Sequence, residues 1–480
     1  MRRFDLIGVI LALSAVLSGC FGGNPTSTSL SPFQPDSGDG YKKVSNFSFT
    51  QRDVLKTTET ISLNSIGEQK ILVVPVQIGN AKEWTSEMID NTNKAFFGKA
   101  EETGWESVAS YYEASSYGKL HISGEVAPVF KVSSVGLGEP DQIVVTQFEN
   151  STSYDTYRKN YDKDNDGYID SVVFMYSSPI NDSRGYWAWV YWGESDPSLT
   201  LPTVNTYMWC GYQFICDKDS KQSRYAAYGD KVDAHTVIHE TGHMLGLDDY
   251  YCYDDRGWDP SGAIEMHSNN IGDENIFSKT LLGWTEPYYV KTDSSVSLTL
   301  RSSALYGDAI IINDSWNNSA CDEYLIIEYY SPHGMNAKDA ASRYPCNNLQ
   351  MYSKSGFRIY HIDARIVELN ARGGMVDYAD KIEDGKWYAV GASNSESYSY
   401  LNTHKNDYKL CHLLEAGGVN TFKKNKIATN ATLFRKGNTF VANSEFFYNK
   451  DSFNNGNKVG YKISINECTD FSGSITITKI

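Results

Sequence analysis

The run from His239 to Asp249, HETGHMLGLDD, constrains this chain more than any other stretch. His239 and His243 are four residues apart, so a helix places them on one face with Glu240 beside them. Two imidazoles and a carboxylate in that arrangement can serve one bound cation. The pattern therefore predicts a helix from Asp233 to Leu245 that is buried along one side.

The residues after the second histidine extend the motif. Gly246 follows His243 by three residues, where a helix can end with positive φ and turn back, and Asp249 follows three residues later. The spacing matches the metzincin pattern H-E-x-x-H-x-x-G-x-x-H, with aspartate in the last place. His239, His243 and Asp249 are therefore the predicted zinc ligands. Asp248 and Glu265 are alternatives for the third.

Three protein ligands leave one coordination position for water, which distinguishes a catalytic zinc from a closed structural one. Glu240 is predicted to take the proton of a water that attacks a carbonyl and to return it to the leaving amine. Peptide hydrolysis is the expected reaction. Met266, in GAIEMHSNN, is the candidate for the turn beneath the site. His235, one helical turn before His239, is expected to be structural or solvated.

The segment from 161 to 176, YDKDNDGYIDSVVFMY, carries a second metal-binding pattern. Side-chain oxygens at alternate positions and one carbonyl fit a Ca²⁺ loop, with the candidates Asp162, Asp164, Asp166, Tyr168 and Asp170. The loop is incomplete, because an EF-hand needs glutamate where Val173 stands. We expect a short calcium loop ahead of a strand from Ser171 to Tyr176. A solvated acidic turn is the alternative.

The N-terminus predicts export. Two arginines precede a short apolar run that ends in LSGC, which resembles a bacterial lipobox. Residues 1–19 are the expected lipoprotein signal peptide and Cys20 the lipidated residue, anchoring the protein to the membrane at the bacterial cell surface, facing outward. An ordinary secretory signal is the alternative. Residues 20–60, poor in large apolar side chains, are expected to form a flexible tether or a pro-segment.

The composition excludes some partners. A formal net charge of -16 gives no basic stripe to meet phosphates, so nucleic-acid binding is not expected. Eight cysteines minus Cys20 leave an odd number, so at least one thiol is expected to be unpaired. Cys210 and Cys216 are a plausible local disulfide. No C-x-x-C pair is present, which disfavours a cysteine zinc site.

The pattern of apolar residues predicts an α+β protein with two folded domains. In residues 61–287, a buried strand (Lys70–Ile78) and later helix and strand patterns predict a mixed twisted sheet with the motif helix. Gly185–Trp192 is expected to be a strand that either lines a cleft or packs in the core. The sequence pattern of residues 288–480 is typical of strands separated by polar turns, which predicts a β-sandwich-like domain. Three polar residues there are expected to be structural: Glu328, His361 and Asp363.

Several motifs in order resemble the immune inhibitor A family of bacterial zinc metallopeptidases. They are KILVVPVQI, SVASYYEASSYGKLHISG, DKDNDGYIDSVVF, HETGHMLGLDDYY, Met266 with GDENIFSKTLLGW, and EYLIIE with GFRIYHIDAR. The resemblance implies a secreted or surface endopeptidase with a metzincin-like catalytic domain, a stabilising calcium and a β-rich extension. One departure is Ser268, where some metzincins have a tyrosine that supports the oxyanion. Tyr250 or Tyr251 could take that role.

The leading hypothesis is a lipid-anchored extracellular zinc metalloendopeptidase that acts on protein or peptide substrates, with Glu240 as general base. The rival is a non-catalytic surface adhesin or ligand-binding protein with a structural metal site. A fourth protein ligand that closes the metal shell would favour the rival.

Overall fold

The computed structural model describes residues 34–480 except 61, 137, 194, 219–224, 256 and 402–407. The expected signal peptide and Cys20 lie outside the described residues. The described strands form several sheets, and the chain also contains helices between the strands, as expected for an α+β protein. Among the described residues, no helix combines the length and apolar character needed to cross a membrane.

The helices are short. In chain order they are α1 (Gln51–Lys56), α2 (Ser86–Phe97), α3 (Val108–Ser115), α4 (Pro140–Glu149), α5 (Asp155–Asn160), α6 (His235–Met244), α7 (Met266–Asn269), α8 (Ile276–Leu281), α9 (Ser303–Tyr306) and α10 (Ala337–Ala341).

The strands, in chain order, are β1 (Ser37–Gly38), β2 (Tyr41–Lys43), β3 (Gly67–Ile78), β4 (Leu120–Val126), β5 (Phe130–Val132), β6 (Val172–Tyr176), β7 (Trp189–Trp192), β8 (Thr206–Gly211), β9 (Tyr288–Val290), β10 (Ser295–Arg301), β11 (Ala309–Ile312), β12 (Glu323–Tyr330), β13 (Gly356–Asp363), β14 (Ile366–Leu369), β15 (Met375–Ala379), β16 (Trp387–Val390), β17 (Cys411–Leu414), β18 (Thr439–Val441), β19 (Tyr461–Cys468) and β20 (Ser472–Lys479).

The first sheet is built around the buried strand that the sequence predicts. Its order is β4-β3-β6-β8-β7, with β5 also paired to β3. The pairs of β3 with β4, β5 and β6 and of β6 with β8 are parallel, whereas β7 runs antiparallel to β8 at the edge. Because neighbouring residues of a strand face opposite sides, Ile71 and Val73 join a cluster with α6, whereas Leu72 and Val74 join another with α4.

Two predicted elements begin later than expected, for local reasons. The sequence from Trp105 to Ala114 predicts a helix. The helix begins only at Val108, because the Ser107 hydroxyl accepts from the Ser110 amide at 3.0 Å and caps it. The strand expected from Gly185 begins at Trp189, because Gly185 ends a turn with a φ of +73°.

A second, seven-stranded sheet has the order β1-β2-β9-β11-β12-β13-β17. Alternation along β12 gives it two buried faces: Ile326 and Tyr330 share the cluster that contains α6, whereas Leu325 and Ile327 pack with β20 of a four-stranded sheet. That smaller sheet has the order β10-β20-β19-β18. The largest hydrophobic cluster therefore contains residues from both sides of the expected domain boundary at 287/288. The boundary itself stays a prediction.

The later part of the segment 20–60, expected as a tether or pro-segment, has secondary structure in contact with the rest of the protein. Strand β2 pairs antiparallel with β9, with Tyr41 opposite Val290. Helix α1 is capped by Thr50, and the Gln51 side-chain amide donates to the Gly246 carbonyl. This helix thus lies against the turn that follows the metal-binding motif.

Candidate metal centre

Helix α6 supplies the first two candidate ligands. It begins at His235, where the Asp233 carboxylate accepts from the His235 amide at 3.1 Å, and every residue in it is buried. The helical repeat places His239 and His243 on one face, with their Nε2 atoms 3.1 Å apart.

The turn after α6 brings in Asp249. Gly246 has a φ of +93°, as the motif predicts, and the chain then reverses towards the helix. Asp249 Oδ1 lies 3.0 Å from His239 Nε2 and 3.4 Å from His243 Nε2. Neither alternative belongs to this cluster, and Glu265 Oε2 accepts instead from Asn275.

These three atoms fit a tetrahedral cation. Ligand atoms at zinc–ligand distances of about 2.0–2.1 Å lie roughly 3.3 Å apart, close to the separations found here. The Nδ1–H groups of both histidines donate to carbonyls, His239 to Met266 at 2.9 Å and His243 to Leu247 at 2.7 Å. This fixes the tautomer that leaves each Nε2 lone pair available. Asp249 Oδ1 makes no hydrogen bond within the described part of the chain. The cluster can therefore hold a metal ion, whose identity the geometry does not specify.

Charge and burial shift the pKa values of Asp249 and Glu240 in opposite directions. Burial alone would raise the pKa of Asp249, but His243 and His239 outweigh it and hold the pKa well below its usual range. Burial raises the pKa of Glu240, although the same histidines oppose the shift. The Glu240 side chain is 6% exposed, and its Oε2 has no hydrogen-bond partner among the described residues. One carboxylate is thus suited to bind a cation and the other to exchange a proton.

His267 is a component of the site that the sequence analysis missed. A ligand atom of His267 and one from each predicted ligand lie within 4.8 Å of one another. Its ring is 4.9 Å from that of His239 and 5.2 Å from that of His243, and its Nε2 is 3.2 Å from Glu274 Oε1. The one sequence signal was Gly242, because glycine inside a helix is costly and often marks a close approach.

The contacts at Gly242 show this close approach. A Cβ on Gly242 would lie 2.2 Å from His267 Nε2, so only glycine leaves room for the ring. The carbonyl of Met266, the candidate for the turn beneath the site, accepts from His239 Nδ1 at 2.9 Å.

Two candidate oxyanion donors are placed differently. Tyr250 is fully buried, and its hydroxyl lies 3.0 Å from the Ser278 hydroxyl. Tyr251 is partly exposed, and its hydroxyl interacts with Asp249. Tyr251 is therefore the one of the two whose hydroxyl interacts with a candidate ligand.

The acidic loop gathers part of the predicted calcium site. Asp162, Asp164 and Asp170 offer oxygens that lie within 4.8 Å of one another. Asp166 is not in this group, since its Oδ1 accepts from the Tyr168 amide at 2.8 Å. Burial, together with the neighbouring carboxylates, raises the pKa of Asp170 to about 7. The arrangement suits a cation, and it also suits an acidic turn.

The other titratable residues considered in the sequence have structural positions. His235 is fully buried between the rings of Trp105 and Tyr344, each with a centroid 4.2 Å away, so the expected structural role holds and solvation is wrong. Glu328 pairs with Arg358 at 2.7 Å, and His361 contacts Glu323 at 2.8 Å.

Asp363 accepts from Arg365, at 2.7 Å from both Nε and Nη2. Cys210 and Cys216 are both free thiols, which contradicts the expected local disulfide. Cys216 Sγ instead lies 3.4 Å from the Gly229 carbonyl.

The chain was also compared with known proteins. No model of a known protein family matches it, and no curated protein matches it.

Proposed function

We propose that this protein is a zinc metalloendopeptidase with a metzincin-like catalytic centre. The observation that carries the proposal is the arrangement of His239, His243 and Asp249 around a common position, with the carboxylate of Glu240 buried beside them. The resemblance to the immune inhibitor A family supports the same reaction and adds a secreted or surface location.

In the proposed mechanism, each residue of the centre has one task. When bound, zinc would supply the Lewis acidity that polarises a peptide carbonyl and acidifies water. His239, His243 and Asp249 hold the ion, and the carbonyls of Met266 and Leu247 keep the imidazoles in the ligating tautomer. Glu240 accepts the proton of the attacking water and delivers it to the leaving nitrogen.

Strand β7 supports an endopeptidase in particular. It is the edge strand of its sheet and pairs only with β8 within the described residues, so one side of its backbone is available. It also contacts α6, and Trp192 at its end lies beside His243, with ring centroids 6.4 Å apart. An extended peptide added to such an edge would pass the metal centre without needing a free terminus.

Two further proposals accompany the peptidase. In the first, Asp162, Asp164 and Asp170 hold a calcium ion that stabilises the fold. The LSGC sequence makes Cys20 the site of lipid attachment, and the protein is then anchored to the membrane and faces outward from the bacterial surface.

One observation favours the rival, a non-catalytic surface protein that binds a ligand and carries a structural metal. His267 lies close enough to the three ligands to be considered as a fourth. Four protein ligands would leave no position for water. The Glu274 carboxylate beside His267 Nε2 favours a supporting role for His267 instead.

The variant Glu240→Gln tests the proposal. It removes the proton acceptor but keeps the size of the side chain, so zinc content and melting temperature should match the wild type. Cleavage of a peptide library should fall at least about a hundredfold. Glu467→Gln, at an exposed position on β19, is the matched control and should cleave normally.

Two results would contradict the proposed peptidase function. Undiminished turnover by Glu240→Gln excludes this residue as the base. Absence of chelator-sensitive cuts by the wild-type protein, with one zinc bound per chain, supports the structural site.

A further inference from the structure

A group of partly exposed tyrosines adjoins the metal centre. We call Tyr251, Tyr253 and Tyr398 the aromatic shelf. The Tyr253 ring is 5.0 Å from that of Tyr251 and 5.4 Å from that of Tyr398, in edge-to-face contacts. The Tyr253 hydroxyl donates to Asp249 Oδ2, so the shelf begins at a candidate ligand. It then runs outwards, because Tyr253 is 49% exposed and Tyr398 is 67% exposed.

The shelf joins parts of the chain that are far apart in sequence. Tyr398 comes from a loop nearly 150 residues after Tyr253, and hydrogen bonds connect the two loops. The Tyr253 amide donates to the Ser395 hydroxyl at 2.8 Å, and the Ser397 hydroxyl donates to Asp254 at 2.5 Å. These bonds hold Tyr398 in place despite its exposure.

A further exposed ring lies beside another ligand. Trp192, at the end of the edge strand β7, is 41% exposed and approaches the ring of His243. A peptide running along β7 past the metal ligands would therefore meet Trp192 at one ligand and the aromatic shelf at another.

Exposed rings of this kind favour apolar partners. Tyr and Trp provide a large contact area at a low cost in side-chain entropy, and their rings attract other aromatic rings edge to face or offset. Separate exposed aromatic residues are ordinary on a surface, but contiguous ones beside a buried catalytic group mark a recognition surface.

We propose that the aromatic shelf and Trp192 select an extended peptide with an aromatic side chain next to the bond that is cut. This inference rests on the proposed peptidase function and names its substrate class. One ring contact contributes about threefold to tenfold in kcat/KM, so the preference for an aromatic over an alanine side chain should be at least that large.

The test uses the full mature chain and pairs of quenched fluorescent peptides. Members of a pair differ only in having phenylalanine or alanine at one position next to the scissile bond, which mass spectrometry locates. Tyr398→Ala and Trp192→Ala each remove a ring. Tyr398→Phe removes only the hydroxyl and keeps the ring, which is the part of the side chain that the proposed preference requires. Tyr448→Ala is the matched control, since Tyr448 is 57% exposed and lies outside the shelf.

The measured quantity is the ratio of kcat/KM for the phenylalanine peptide to that for the alanine peptide. Tyr398→Ala and Trp192→Ala should lower this ratio by about threefold or more, whereas Tyr398→Phe and Tyr448→Ala should keep it. Chelator-sensitive cleavage by the wild type without an aromatic preference overturns this inference alone. So does a preference that survives both alanine variants. Failure to cut any peptide overturns the peptidase function and this inference with it.

Discussion

The substitution Gly242→Ala tests how tightly His267 is packed behind the ligands. The new Cβ would lie 2.2 Å from His267 Nε2, 2.3 Å from its Cε1 and 3.1 Å from the Tyr112 hydroxyl. Ordinary contact needs about 3.4 Å or more, so the ring must move by roughly 1.2 Å. His267 is fully buried, and its Nε2 lies 3.2 Å from Glu274 Oε1.

Two opposing effects determine how much Gly242→Ala changes the free energy of unfolding. Alanine in a helix is favoured over glycine by about 1 kcal/mol, whereas overpacking a buried site costs about 1–3 kcal/mol. The difference lowers the expected free energy of unfolding of the metal-free protein by about 0–2 kcal/mol. Because the displaced ring contacts both His239 and His243, zinc affinity should also fall, by about tenfold to a hundredfold.

Urea denaturation of the metal-free protein and zinc competition against a chelator measure the two effects. Gly417→Ala is the control, because a Cβ there meets no atom within 4 Å, and it should change neither quantity. Adding His267→Ala to Gly242→Ala removes the overlap, so the two substitutions should be strongly non-additive. A Gly242→Ala protein that is as stable as the wild type and binds zinc equally well would refute the proposed packing.

Two further predictions concern charge. Burial opposes a charge on His235, but the carboxylates of Asp233 and Asp339 outweigh it and raise its pKa to about 9. The resulting stability is fully present below pH 6.5 and is lost as the pH rises through 9, on the order of 3 kcal/mol. Urea midpoints should fall over that range in the wild type but not in His235→Gln, and equal slopes would exclude His235 as the cause. For the acidic loop, the double variant Asp164→Asn with Asp170→Asn should abolish the rise in melting temperature on adding Ca²⁺; an unchanged rise would place calcium elsewhere.

Much of the site could be predicted because it is local. The i, i+4 spacing places His239 and His243 on one helical face, whatever the rest of the chain does. A glycine three residues later permits the positive φ at Gly246, and the apolar run at β3 predicts a strand buried on both faces. Errors at the ends of elements, such as the late start of β7, came from turns whose geometry outweighs the strand pattern.

Other features depend on which distant segments pack together. Sequence spacing favoured Asp249 as the third ligand but left Asp248 and Glu265 as alternatives, and the structure brings Asp249 to the histidines because the turn at Gly246 carries its side chain inwards. The local pair expected between Cys210 and Cys216 failed because the second thiol is directed towards the Gly229 carbonyl.

The sequence by itself determined the motif helix, the turn that follows it, the buried central strand and the α+β class, because each depends on periodicity or on the backbone freedom of a single residue. Only the tertiary structure decided that His267 lies behind the ligands, that β2 joins the seven-stranded sheet and that Tyr398 stands beside Tyr253. These contacts join residues that are far apart in sequence. Their energies come from burying surfaces against one another, and no local pattern encodes which surfaces will meet.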